Sequence, residues 1–356
     1  MTTETLIIGA GLSGLYAGYL LHQEGREFRI LESRETHGGR VRSETHAGIP
    51  IELGPSWFWP DTNPQMAALV EELKLPAFAH YNEGDILIDA AMGLQRQSHK
   101  ALDPRRSMRL TKGSRSLTDG LRDALPEDAL MSGHRVLSIS RNEDQITVVA
   151  ESAEGEQEFS AHSVIVAMPL RLVEKSLTFS PGLPAAVSSH FRETPTWMAG
   201  EAKFFALYET PFWREHQLSG TAFDRAGPLA EVHDASHPDG RGGLFGFFNL
   251  DAQQREALGD RLEEECVAQL VKFFGSQAAA PIATRFQDWS RESFTATELD
   301  GEQGSQRFLA PPFAANSLWD ERLKFAGTEA AIKHGGYLEG ALEAAESAVA
   351  TLAKKA

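Results

Sequence analysis

Along the first thirty positions the apolar pattern changes character twice. Thr5 to Ile8 is a short unbroken apolar run, as a buried strand requires, and Leu12 to Gln23 places its apolar side chains all round a helix. Phe28 to Leu31 returns to a strand and ends on Glu32. Glycines 9, 11 and 14 fall at the junction of the first strand and the helix. A strand, a helix and a second strand joined this tightly predict the βαβ opening of a dinucleotide fold.

Further along, the loop "HGGRVRSETHAGIPIELGPSWFWP" precedes a helical segment around Gln65 to Leu73. From Gly133 to Pro169 the alternation is that of strands separated by turn residues, and "SLTFSPGLPAAVSSH" links into a short helix. "GEAKFFALYETPFW", "GPLAEVHDAS" and "GGLFGFFNL" predict strands of a second sheet, and Asp251 to Phe274 an amphipathic helix. "LKFAGTE" predicts a strand leading through a glycine turn into an alanine-rich terminal helix. No repeat or low-complexity tract interrupts this order.

A chain of 356 residues is too long for one small core and predicts two domains. Fifty acidic residues against 34 basic give a net charge of -16, a field that repels nucleic acid and anionic membranes and favours cationic small molecules. The sole cysteine, Cys266, cannot form an intrachain disulfide. No run is apolar enough to span a membrane, and "MTTET" lacks the basic residues of a signal peptide. These features give a cytoplasmic expectation. No metal-ligand spacing stands out.

Each early glycine has a physical task. Gly9 permits the turn, Gly11 lets the backbone approach a pyrophosphate, and Gly14 lets helix and strand pack closely. The helix N-terminus offers unpaired N–H groups to phosphates, and Glu32 can accept hydrogen bonds from ribose hydroxyls. "GGRVRS" at 38–43 and "ELGPSW" at 52–57 then resemble the flavoprotein amine oxidase family, which includes monoamine, polyamine and L-amino acid oxidases. "KGSRSLTDGL", "HRVLSISRNEDQITVV", "HSVIVAMP", "GEAKFFALYETPFW" and "FAGTEAAIKHGGYLEGALEAAESA" extend the resemblance over nearly the whole chain except about 60–110.

The resemblance implies an α/β fold. A Rossmann-like FAD-binding domain would comprise 1–60, 107–180 and 287–356, and an inserted α+β substrate domain 61–106 and 181–286. It implies FAD as cofactor, with Arg40 and Arg42 along the diphosphate and flavin edge, Val136 meeting the adenine through its backbone, and Arg34, Gly39, Gly54, Pro55 and Ser56 also binding the cofactor. Trp289, Gly327, Glu329 and Gly336 complete the expected cofactor set. The family chemistry is hydride transfer from the carbon beside an amine nitrogen to flavin N5, with O2 as acceptor giving H2O2.

Two residues carry the expected chemistry. By itself, an aromatic behind two glycines is a core plug or a helix staple, and a lone lysine in an apolar strand usually snorkels to water. The resemblance instead makes Tyr337 the aromatic wall beside the isoalloxazine, and makes Lys203 the holder of a water near N5. The family's second cage ring falls on Leu299 or a neighbour, not on an aromatic, and His334 stands where a tryptophan is common. Trp57, Trp59, Trp197 and Phe294 are the candidate replacements. The covalent-flavin cysteine is absent, implying non-covalent FAD. Much of the helical roof expected between Trp59 and Thr111 is missing, which implies a more open cavity, a bulkier substrate, or a homo-oligomer or partner subunit completing the cover. A desaturase or isomerase, and a non-catalytic FAD-binding partner protein, are the alternative readings.

Overall fold

The computed structural model describes residues 2–98, 106–143, 145–301 and 318–352. Contacts divide the chain into two compact units, each assembled from separated stretches. Met1–Val41, Arg115–Ala199 and Glu292–Ala356 contribute to the first, and Arg42–Ser114 and Gly200–Arg291 to the second. The expected cofactor and substrate domains were drawn by role, and packing draws a different line. Residues 42–60, 107–114 and 287–291 group with the second unit, and 181–199 with the first.

The first unit is built on a sheet of eight strands among the described residues. Thr2–Ile8 lies between Phe28–Leu31 and Gly155–Val166 and runs parallel to both. Its four last side chains are buried, which is why the run Leu6–Ile8 is apolar without alternation. Leu323–Phe325 also runs parallel to Gly155–Val166. The helix Leu12–Gln23 follows the first strand and packs against the C-terminal helix Leu338–Ala350. Gly14 allows this entry. A Cβ there would come within 1.9 Å of the Gly9 carbonyl oxygen, so the helix could not leave the strand at this angle with any larger residue.

The second unit has a seven-stranded sheet. Ala202–Tyr208 is paired on both sides, antiparallel to Gly242–Phe248 and to Ala283–Asp288, and all seven of its residues are buried. The run "AKFFALY" is therefore apolar on both faces, with Lys203 enclosed at 1 % exposure. Phe204, Trp213, Leu262, Cys266 and Phe273 share one core cluster on this sheet. Arg255 and Asp288 form a buried ion pair at 2.8 Å, and Arg255 also donates to the carbonyls of Leu250 and Gly200, tying helix to sheet.

Three elements differ from the sequence expectation. The single helix expected over Asp251 to Phe274 is two, Ala252–Leu258 and Arg261–Phe274, because Gly259 takes φ +51° between them. The first begins with a reciprocal capping box between Asp251 and Gln254. Asp85–Ala90 and Gly93–Ser98 form a hairpin on the sheet edge that polar composition concealed. Ala283–Asp288 is likewise a strand, although its residues alternate weakly.

Candidate active site

In the first unit the glycine turn and the loop after Glu32 converge. The Gly38 N–H donates to the Ala10 carbonyl at 2.8 Å, Gly11 bridges Gly38, and Gly39 lies against the Gly11 Cα. Glu32 is buried, and its two carboxylate oxygens accept from the backbone N–H groups of Ala10, at 2.7 Å, and Arg34, at 2.9 Å. Those two donors fix the carboxylate, while its remaining lone pairs can accept ribose hydroxyls. The His134 N–H donates to the Glu32 carbonyl, and Val136 is the second residue of the strand Arg135–Arg141 just beyond. Gly11 has open space around its Cα and offers no side-chain cap to the helix behind it. A backbone turn with open space at Gly11, an uncapped helix N-terminus and an acid held beside it fit a dinucleotide such as FAD.

Other expected cofactor residues are committed to protein partners. Both terminal nitrogens of Arg40 bond Glu329, at 2.6 and 3.0 Å, and the Glu329 side chain is fully buried. Arg34 donates to Glu292 and Thr295 and lies over the Phe294 ring. Gly327 packs on the Met168 carbonyl, and the Ser13 hydroxyl bonds the Ala326 carbonyl, closing the turn against the first helix.

Tyr337 is the N-cap residue of the C-terminal helix and is 45 % exposed. Thr328 braces its turn. The Thr328 hydroxyl accepts the Gly336 N–H at 3.1 Å and donates to the Tyr337 carbonyl at 2.8 Å. On the other side, the His334 N–H and Nδ1 both meet the Glu343 carboxylate. Gly336 has φ +87°, and a Cβ built on it would lie 2.5 Å from the Cβ and Cγ of Trp197. Gly336→Ala is expected to displace Tyr337, measurable as a lowered thermal midpoint and a changed visible spectrum of the flavin. An unchanged protein would overturn this reading of the turn.

The second unit contains the other expected group. The Lys203 ammonium donates to the Gly54 carbonyl at 2.9 Å and the Ser56 hydroxyl at 2.6 Å, and it stands 4.1 Å from the centre of the Phe245 ring. Pro55 connects these two partners, and the Trp289 indole N–H donates to the neighbouring Leu53 carbonyl at 3.0 Å. Burial lowers the Lys203 pKa from 10.5 to about 7; the Glu52 carboxylate opposes that shift and the Arg109 guanidinium reinforces it. Glu52 is held by the Ser114 N–H and hydroxyl, and buried Arg109 donates to the Ser236 carbonyl. The sequence did not reveal Glu52, although it opens the ELGPSW stretch, or Arg109 as neighbours of Lys203, because their approach joins segments distant in the chain. Arg42 is part-exposed beside Glu44.

The candidate rings separate cleanly. Trp197 meets Tyr337, with centroids 5.5 Å apart and planes at 35°. Phe294 belongs with Arg34, whereas Trp57 packs on Trp59, His80, His233 and Phe245 in the second unit. Leu299 is 42 % exposed, and its carbonyl accepts from Arg171.

Comparison with known proteins decides the family. The profile described as flavin containing amine oxidoreductase matches residues 89–353, and that of an NAD(P)-binding Rossmann-like domain matches 7–73. The chain belongs to the flavin-containing amine oxidoreductase family. It is an FAD-dependent oxidoreductase. It is 24% identical to putrescine oxidase of Kocuria rosea in an alignment covering 82% of this chain and 83% of that protein. It is 28% identical to the flavin-containing amine oxidase B of Sus scrofa over 66% of this chain and 45% of that one. Solved structures of putrescine oxidase bound to putrescine (TM-score 0.80, 21% identity) and of cyclohexylamine oxidase from Brevibacterium oxydans IH-35A (TM-score 0.81, 19% identity) share the fold, each aligned over 98% of both chains. Among the described residues no helix is long and apolar enough to cross a membrane.

Proposed function

We propose that this member of the family oxidises a small-molecule amine to an imine with O2 as the final acceptor, releasing H2O2, on non-covalently held FAD. The first unit is read as the FAD-binding unit and the second as the substrate unit. The observation that carries the reading is Lys203, a fully buried lysine bonded to two neutral groups and titrating near neutrality. Such a lysine is costly to bury and recurs where its proton state has work to do.

Bound FAD supplies the acceptor for the hydride leaving the carbon beside the amine nitrogen. In its neutral form Lys203 has two N–H bonds, matched by Gly54 and Ser56, and one lone pair at Nζ that can accept a proton from water. Protonated, the group carries a third N–H, and the Phe245 face 4.1 Å away is its nearest compensation. Tyr337 offers an exposed ring to orient substrate, and the C-terminal helix directs its N-terminus toward that side of the turn. Glu32, fixed by the Ala10 N–H, would hold the ribose hydroxyls of bound FAD, and the Arg40–Glu329 pair ties the loop after Glu32 to the C-terminal segment. Cys266, the sole cysteine, is buried in the second unit's core with its thiol pKa pushed up, which suits a flavin held without a covalent bond.

The test is anaerobic titration of the purified flavoprotein with primary, secondary and polyamines, amino acids and polyenes, followed by air. Bleaching by an amine and recovery with peroxide are expected, and acid denaturation should release free FAD. Bleaching by a polyene alone would sink the amine oxidase reading in favour of a desaturase. A flavin that no compound reduces would favour the non-catalytic reading.

A further inference from the structure

We infer that Trp197 is a specificity-determining residue, its indole and the Tyr337 ring forming one continuous aromatic wall suited to an amine with a bulky cyclic or aryl body. This rests on the amine oxidase reading of Tyr337. Two rings that clamp a ligand between them need a gap of roughly 7 Å, twice a carbon contact distance. Here the centroids are only 5.5 Å apart and the planes tilt by 35°. Nothing slips between them. The pair instead adds its surfaces side by side, and both rings keep exposed area, Tyr337 at 45 %.

The indole is held by its backbone rather than left to find its own place. The Trp197 N–H donates to Glu329 at 3.3 Å, the same carboxylate that binds Arg40. The Thr196 N–H donates to Asp300 at 3.0 Å, and Asp300 is fixed by Arg171 at 2.7 Å. Met198, directly after, has φ +60°, a left-handed conformation uncommon outside glycine, so the chain turns sharply at the indole. Gly336 brings the Tyr337 backbone into contact with the Trp197 Cβ. These constraints pin both rings before any ligand arrives, and preorganised aromatic surface rewards a substrate body of matching width.

The experiment compares kcat/KM for cyclohexylamine and benzylamine with that for n-butylamine and putrescine in the FAD-loaded parent, W197F, W197H and W197L. A ratio of two kcat/KM values is independent of how much enzyme is folded and loaded, so partial loss of protein cannot imitate the effect. The parent should prefer the ring amines. W197L should lower that preference about tenfold or more, chiefly through KM for the ring amines, with W197F retaining most of it. A parent that prefers putrescine, or a ratio within about twofold of the parent in W197L, overturns the wall while leaving the amine oxidase reading standing. A parent that oxidises none of these four amines overturns the wall, while the amine oxidase reading is decided by the wider anaerobic titration.

Discussion

Amine-dependent oxygen uptake by the Lys203→Met protein is expected to fall roughly 100-fold or more, with its bound-FAD absorbance retained. Methionine keeps the apolar stem in the strand between Gly242–Phe248 and Ala283–Asp288 and removes only the nitrogen. In the parent, burial sets the Lys203 pKa at about 7, so the neutral amine with its free lone pair dominates above that pH and activity is lost as pH falls through it. The neighbours pull in opposite directions. Glu52→Gln should move the acid limb to lower pH and Arg109→Gln to higher pH, because Glu52 raises the Lys203 pKa and Arg109 lowers it. The same lysine makes folding stability pH-dependent. Between about 7 and 10.5 the unfolded chain holds a proton on Lys203 that the folded chain does not, so stability rises with pH across that window and is level in this contribution below it. Limbs that stay fixed in both neighbour variants would remove Lys203 as the titrating group.

The second large effect concerns Arg40. Its removal strands the fully buried Glu329 carboxylate, and losing one partner of a buried pair typically costs about 3–5 kcal/mol. Arg40→Met should therefore lower the thermal midpoint by roughly 10 °C and weaken FAD retention. Arg40→Met combined with Glu329→Gln should recover much of that loss, since no charge is left without a partner. A double variant no more stable than Arg40→Met alone would show that the pair is not the source of the cost. Trp197, whose N–H also uses Glu329, would shift with either change.

The opening βαβ unit was legible because its information is local. Apolar runs, three glycines and Glu32 lie within 32 residues, and the helix expected over Leu12 to Gln23 has those limits. The break at Gly259 was missed because helical periodicity continues on both sides of it and only the backbone conformation reveals the interruption. Asp85–Ser98 was unreadable as a hairpin because its second strand is almost wholly polar and exposed at an edge. The candidate site divides in the same way. Lys203 and Tyr337 are singled out by the family resemblance, since their own surroundings in the chain fit a snorkelling lysine and a helix staple equally well. Trp197 could not be ranked above Trp57, Trp59 or Phe294, because its contact with Tyr337 joins distant segments through packing alone. Arg40 and Glu329 were each noticed, but their bond closes 289 residues of chain.

The separated origin of the first unit also orders events on the ribosome. Its first strand precedes every residue of the second unit, yet the strand Leu323–Phe325 and the helix Leu338–Ala350 are translated only after Arg291, the last residue of the second unit. The second unit, begun later, is therefore the first whose sequence is complete. Pairings such as Val164 with Leu323 give the first unit a high contact order and a correspondingly slow closure. Until Leu323–Phe325 has left the exit tunnel, the nascent chain carries the unpaired edge of Val164–Val166, and unpaired strand edges of this kind favour aggregation.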